Sequence, residues 1–319
     1  MRILTGIQPS GNLHLGNYFG SIKAMLEAQD KEDMFIFIAD YHAMTSVQDG
    51  TKLYENKLKA AAAFLALGID ENKCTFWLQS DVKEVLELYW ILSQFTPMGF
   101  LERAHSFKDK IAKGLNASHG LFSYPVLMAA DILLFEPKLV PVGKDQVQHL
   151  EITRDIALKF NNEFGEVFSL PEALTDEFLA VVVGTDGAKM SKSYNNTIDL
   201  FAEEKTLKKQ ISAIITDSTP LEEPKEWQTC NVFALAKLFL DEAGQNELKT
   251  RYGRGGEGYG HFKMYLNELV LEYFKEAREK FQKLVNDEKK LKEILEFGAK
   301  KASKIAKEKM RTIYAKIGL

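Results

Sequence analysis

Five short apolar runs, separated by longer stretches of helical periodicity, constrain this chain more than any other feature. The runs are RILTGI at 2–7, MFIFIAD at 34–40, CTFWLQS at 74–80, LVPVG at 139–143 and LAVVVG at 179–184. Between them lie YFGSIKAMLEAQ, TKLYENKLKAAAAFLALG at 51–68, EVLELYWILSQF at 84–95, LFSYPVLMAADILLF at 121–135 and DQVQHLEITRDIALKFNN at 145–162. Strands apolar on both faces, each followed by a helix, predict an α/β fold built on a parallel sheet with helices on both faces. Gly68 predicts a left-handed stop for the helix before it. After about residue 190 the strand pattern disappears, so a smaller all-helical domain is expected to follow.

With 319 residues there is room for one large domain or two unequal ones. No apolar stretch approaches the roughly 18–20 residues that span a bilayer. The first residues lack the cationic and apolar pattern of a secretory signal. Cys74 and Cys230 are too few for a disulfide framework or a cysteine-held cluster. These features predict a cytoplasmic protein. A net charge of −4 gives no general support to nucleic-acid binding, yet residues 298–319 carry seven Lys or Arg and one acid. Such a stretch is either a solvated helix face or a contact for a polyanion. Gly253, Gly255 and Gly258 satisfy G-x-G-x-x-G, but the fingerprint needs a strand before it. Here helical patterns flank it, which predicts a turn between helices.

Two segments carry chemistry. In QPSGNLHLGN a strand ends at Ile7, a loop follows and a helix begins near Gly16. That arrangement aims backbone N–H groups and a positive helix end at an anion. Gly16 offers close approach to the backbone, and His14 and Asn17 supply donors. In GTDGAKMSKSYNN, residues 184–196, Lys189 and Lys192 bracket a small-residue stretch suited to closing on a polyphosphate. Read singly, the first could be a plain β–α turn and the second a solvated lysine loop.

Together, HLGN near the start and KMSKS at the α/β-to-helical boundary resemble the paired signatures of class I aminoacyl-tRNA synthetases. The resemblance is to the tryptophanyl-tRNA synthetase family. It extends through GIQPSGNLHLGNYFG, DYHAMT at 40–45, LERAHSFKDK at 101–110, SYPVLMAADILLF at 123–135 and VPVGKDQVQHLEITRDIALKFN at 140–161. Beyond KMSKS it resumes in ITDS at 215–218 and GYGHFK at 258–263.

The resemblance implies a Rossmann-like catalytic domain at 1–188 and a helical anticodon-binding domain at 189–286. The last helix, 287–319, is expected to pack back on the first domain. It implies ATP contacts from Gln8, Pro9, Ser10, Gly16, Asn17, Lys110, Gly143, Lys144 and Asp145. The loop Lys189, Met190, Ser191, Lys192 and Ser193 is expected to handle the pyrophosphate portion. Val181 is the apolar residue before the loop expected to offer its backbone to adenine, in a segment (AVVVG) whose register stays ambiguous. Asn17, Lys189 and Lys192 carry the catalytic assignment. Lys144 departs from relatives that are often acidic there, and its contact is expected through the backbone.

Specificity also has a physical reading. Tryptophan presents a bicyclic ring with one N–H that only donates. A buried carboxylate accepts it, and would be left unpaired by phenylalanine. Asp131, amid MAAD and ILLF, matches the family residue in that role. Leu4, Met128, Val140 and Val142 are expected around the ring, with His42, Tyr124 and Gln146 near the ammonium or carboxylate. The implied partners are tRNA(Trp), L-tryptophan, ATP with Mg²⁺ carried on it, and a second copy in a homodimer. No protein-built metal site is expected. Tyrosyl-tRNA synthetase, which shares the fold, remains the alternative; Asp131 and GKDQVQHLEITRDIA favour tryptophan. A small-molecule adenylyltransferase and an inactive RNA-binding relative are further alternatives.

Overall fold

The computed structural model describes residues 1–9, 11–104, 112, 114, 118–143, 146–174 and 181–319. The chain forms two compact units. The first holds Met1–Gly11, Leu26–Phe178 and Leu284–Leu319, and the second holds Asn12–Met25 and Leu179–Lys283.

The first unit is built on five parallel strands: β1 (Arg2–Ile7), β2 (Asp33–Ile38), β3 (Thr75–Leu78), β4 (Leu139–Pro141) and β5 (Glu172–Leu174). Their spatial order is β3-β2-β1-β4-β5, with Leu4 beside Phe35, Phe37 beside Trp77 and Val140 beside Ala173. From Met34 to Ile38 every residue of β2 is buried, which is why its sequence shows no polar alternation. Four of the five apolar runs become these strands. The fifth does not. LAVVVG makes no sheet pairing among its described residues; Val183 forms an isolated antiparallel bridge with Lys189, in the second unit. The fifth strand is instead Glu-Ala-Leu at 172–174, none of it fully buried. An edge strand this short needs no apolar run.

Helix Gly50–Leu67 starts under the Asp49 side chain, which accepts the Lys52 N–H, and ends at Gly68 with φ +118°. Helix His119–Phe135 is buried along most of its length and presents Asp131 from inside the unit. Helix Glu288–Ile317 crosses β3 so closely that a Cβ on Gly298 would lie 1.8 Å from the Phe76 carbonyl oxygen. Only glycine fits there.

In its described part the second unit is built of helices, with two extended loop segments at 181–203 and 213–230. Helices Glu242–Arg254 and Tyr259–Tyr273 are joined by Gly255 and Gly256, at φ +73° and +80°. The glycine cluster is therefore an interhelical turn. Tyr252 stacks on Phe262 at 3.9 Å, and Tyr18, Phe19, Phe239, Tyr273 and Phe274 form a cluster of mostly edge-to-face ring contacts.

Candidate active site

A chain that lays β1, β2 and β3 outward on one side and then returns to place β4 on the other side of β1 opens a crevice. Open parallel sheets bind ligands there, beyond the strands' carboxyl ends. The first unit has a cavity of about 390 Å³ at this point, walled by Leu4 and Gly6 of β1 with Gln8 just after it, and by Val140 of β4 with Val142 and Gly143 just after it. Gly6 matters for the shape of the wall: a Cβ there would sit 2.6 Å from the Phe37 ring. Tyr124, Met128 and Asp131 line another side, from three turns of one helix, and His42 and Gln146 complete the polar lining. All eight residues expected around tryptophan thus face one cavity.

Asp131 is 2% exposed. A buried carboxylate is tolerated only when hydrogen-bonded, and two side chains do this. His42 Nε2 lies 2.8 Å from Oδ2, and Gln79 Nε2 donates to both oxygens at 2.8 Å. Burial pushes the carboxyl above the usual carboxylate range, while the His42 and Gln79 contacts pull it down. A second chain runs from Gln146 Oε1 to His149 Nδ1 at 2.6 Å and from His149 Nε2 to the Tyr124 hydroxyl at 2.8 Å. His149 is fully buried, so it braces two cavity-lining residues from behind.

The second unit gathers the two signature segments. His14 pairs with Asp199 as an antiparallel bridge, Leu15 N–H donates to Ile198 O, and Leu200 N–H donates to Leu13 O. Met190, buried, accepts the Gly16 N–H on its Sδ at 3.3 Å. A Cβ on Gly16 would meet His14 Nδ1 at 3.0 Å and Met190 Cβ at 3.2 Å, so any larger residue would have to push these two neighbours aside. Asn17 Oδ1 accepts the His14 N–H, which leaves its amide NH₂ as the available donor. His14 is 5% exposed, and its Nδ1 has no partner among the described residues. Burial, and then the positive charge of Lys192, lower its pKa to about 4, with Asp199 opposing. The imidazole is therefore neutral at pH 7.

The lysine loop is a hairpin turning at Gly187, φ +82°, followed by a tight helical turn at Lys192–Tyr194. Asn196 organises it: its amide donates to Asp186 Oδ1 and Lys189 O, and its oxygen accepts the Ser191 N–H. Gly184 lies so near Asn196 that a Cβ would come within 2.3 Å of its amide nitrogen. Lys189 and Lys192 are exposed, and partial loss of hydration lowers the Lys192 ammonium from its ordinary value. The Ser191 and Ser193 hydroxyls bond each other at 2.8 Å. Val181 is 70% exposed, beside a buried Val182 whose carbonyl accepts the Met190 N–H.

Of the other expected residues, Gln8 and Gly143 line the cavity and Pro9 is buried just after β1. Ser10, Lys110, Lys144 and Asp145 lie outside the described residues. Sequence reasoning missed Gln79, His149 and Asn196. Each is a buried polar side chain whose partners include residues or backbone it does not adjoin in sequence. Among the described residues no group of three or more His, Cys, Asp or Glu could hold a metal ion, and no helix is long and apolar enough to cross a membrane.

Comparison with known proteins accords with this geometry. Residues 1–275 match the family model for tRNA synthetases class I (W and Y). The chain is 74% identical over 319 residues to a tryptophan–tRNA ligase of Campylobacter jejuni strain RM1221, covering all of both chains. It is 53% identical to one of Fusobacterium nucleatum, covering all of this chain and 98% of the relative. A crystal structure of tryptophanyl-tRNA synthetase from Campylobacter jejuni, complexed with ADP and tryptophan, superposes with a TM-score of 0.98 over the whole of both chains at 74% identity. With a buried carboxylate at the switch point of its sheet, and HLGN and KMSKS stitched together in its second unit, the chain belongs to the class I tRNA synthetases of the tryptophan and tyrosine family.

Proposed function

We infer that this protein is a tryptophan–tRNA ligase that charges tRNA(Trp) in two steps. The carboxylate of L-tryptophan attacks the α-phosphorus of ATP and expels pyrophosphate. The resulting adenylate then esterifies the terminal ribose of the tRNA and releases AMP. The observation that carries the tryptophan reading is Asp131, a buried acceptor on the wall of the cavity between β1 and β4. It matches the one polar feature of an indole ring, and the bound tryptophan of the Campylobacter jejuni structure supports it. We assign Leu4, Met128, Val140 and Val142 to the ring, and His42, Tyr124 and Gln146 to the ammonium and carboxylate.

The first step requires no general base, because the attacking carboxylate is ionised at pH 7. Catalysis is positioning plus stabilisation of charge on the α-phosphate and the leaving pyrophosphate. In the second unit that work falls to Lys189, Lys192 and the Asn17 amide, with Gly16, Met190, Ser191 and Ser193 shaping the surroundings and Val181 assigned to adenine. A neutral His14 adds a hydrogen-bonding nitrogen without charge. In the first unit Gln8, Pro9, Ser10, Lys110, Gly143, Lys144 and Asp145 are assigned to the nucleotide. Mg²⁺ enters as the counterion of the ATP phosphates, and no step is assigned to a protein-held metal.

The reading includes a cytoplasmic location and a homodimer. Trp90 and Leu86, one turn apart on helix Glu84–Ser93 and 68% and 40% exposed, support a partner surface on the first unit. Sedimentation of the purified chain tests it. The function itself is tested by esterification of a tRNA(Trp) transcript with labelled tryptophan. Ester formation with tryptophan supports the reading; esterification by tyrosine alone reverses the specificity assignment.

A further inference from the structure

We propose that Gln79, at the carboxyl end of β3, is the positioning residue that makes Asp131 selective for an indole N–H. The inference rests on the assignment of Asp131 to the ring nitrogen.

The orientation of the Gln79 amide is determined by its surroundings. Its Oε1 accepts the backbone N–H groups of Tyr41 at 3.1 Å and His42 at 3.4 Å. These amides open helix Asp40–Ala43, where the first N–H groups have no intrahelical acceptor. An amide rotated by 180° would set its NH₂ against two N–H donors. The Nε2 end is therefore held towards Asp131, as a group that can only donate. Gln79 is 1% exposed, so no water competes for it.

Two consequences follow for Asp131. First, the donor-only partner favours the ionised carboxylate, because a protonated one would aim an O–H at an N–H. Second, the contacts are unequal. Oδ2 meets both His42 and Gln79, while Oδ1 meets Gln79 alone. With two lone pairs per oxygen, Oδ1 retains acceptor capacity for one further donor. The other charged group acting on the carboxylate is Asp40, which faces Lys57 at 3.5 Å and the Ser80 hydroxyl; Asp81, on the turn that carries Gln79, acts in turn on Asp40's surroundings. Asp40 acts against ionisation of Asp131, and His42 acts for it. Gln79 is thus the neutral residue that holds a carboxylate in service as an acceptor in a buried site.

The test compares tryptophan with β-(3-benzothienyl)alanine, which has sulfur in place of the indole N–H, in ATP–pyrophosphate exchange. The readout is the ratio of kcat/KM for the two, because general damage to the fold lowers both alike. Wild type is expected to prefer tryptophan. Gln79→Met is expected to lower that preference about tenfold or more at pH 7, since a charge-assisted bond is removed. The preference should recover as the pH rises towards 9, because loss of the donor raises the Asp131 pKa and alkali restores the carboxylate. An undiminished preference in Gln79→Met overturns the proposal, as does a loss that pH does not repair. A wild type that does not distinguish the two amino acids overturns the Asp131 assignment itself. Should Gln79→Met not fold, the ¹³C carboxyl resonance of Asp131 in wild type, identified by its absence from Asp131→Asn, decides: an ionised position at pH 7 supports the proposal, and a protonated one overturns it.

Discussion

Replacing Asp131 by asparagine keeps shape and volume and changes only what the group can accept. The new amide must place its NH₂ where either Oδ1 or Oδ2 now stands. Gln79 Nε2 is 2.8 Å from both, and Gln79 cannot turn because its oxygen holds two backbone N–H groups. Either rotamer therefore sets one donor against another. If the NH₂ takes the Oδ1 position, the indole N–H also loses its acceptor. If it takes the Oδ2 position, His42 must change tautomer to accept from it. A lost charge-assisted bond costs about 1.5–3 kcal/mol and an unsatisfied buried donor a similar amount. The Gln79 conflict is present with or without ligand and cancels from KM, so the bond lost to tryptophan sets the effect: its upper value, about 3 kcal/mol, is about a hundredfold at 1.36 kcal/mol per tenfold. The expected result is a tryptophan KM about 10²-fold higher in ATP–pyrophosphate exchange, with the ATP KM little changed. A tryptophan KM within threefold of wild type would refute the reasoning.

Lys189→Ala and Lys192→Ala should each lower kcat for exchange by about 10²–10³, the scale of a removed charge-stabilising donor, with tryptophan affinity by equilibrium binding nearly unchanged; equal losses in both would count against the assignment. His14 carries a pH signature. Its native pKa of about 4 lies below the unfolded 6.5, so its stabilising contribution is complete above pH 6.5 and is lost as pH falls towards 4. That amounts to about 3 kcal/mol over the window, and denaturant titrations of His14→Gln should lack this slope; parallel curves would contradict it. Gly298→Ala should destabilise the first unit by at least about 1–3 kcal/mol, as overpacking does, because the new methyl meets the Phe76 carbonyl; an unchanged urea midpoint would show that the helix shifts freely.

Much of the sheet was legible because β1 to β4 are apolar runs bounded by turns, and their shortness separates them from the longer, periodic helices between them. β5 was not, since three residues at a solvent edge carry no apolar signal, while LAVVVG carries a strong one and serves a hairpin. The cavity residues came through the motif resemblance: MAADIL, VPVG at 140–143 and Gln146 lie where the switch-point rule places ligand contacts. Gln79 escaped notice because its partners are 38 and 52 residues away, and a glutamine ending a strand looks like any exposed turn residue. Asn196 was read as part of a polar loop, although its side chain holds that loop together. Likewise the stitching of Leu13 and Leu15 to residues 198–200 reaches across the whole interval between the motifs, and no local pattern announces it.

The most direct test is amino-acid-dependent ATP–pyrophosphate exchange by the purified protein, run with each of the twenty amino acids in turn and without tRNA. The account predicts exchange with tryptophan and with no other. Exchange with tyrosine in its place would leave the fold and the phosphate chemistry standing and contradict the assignment of the Asp131 cavity.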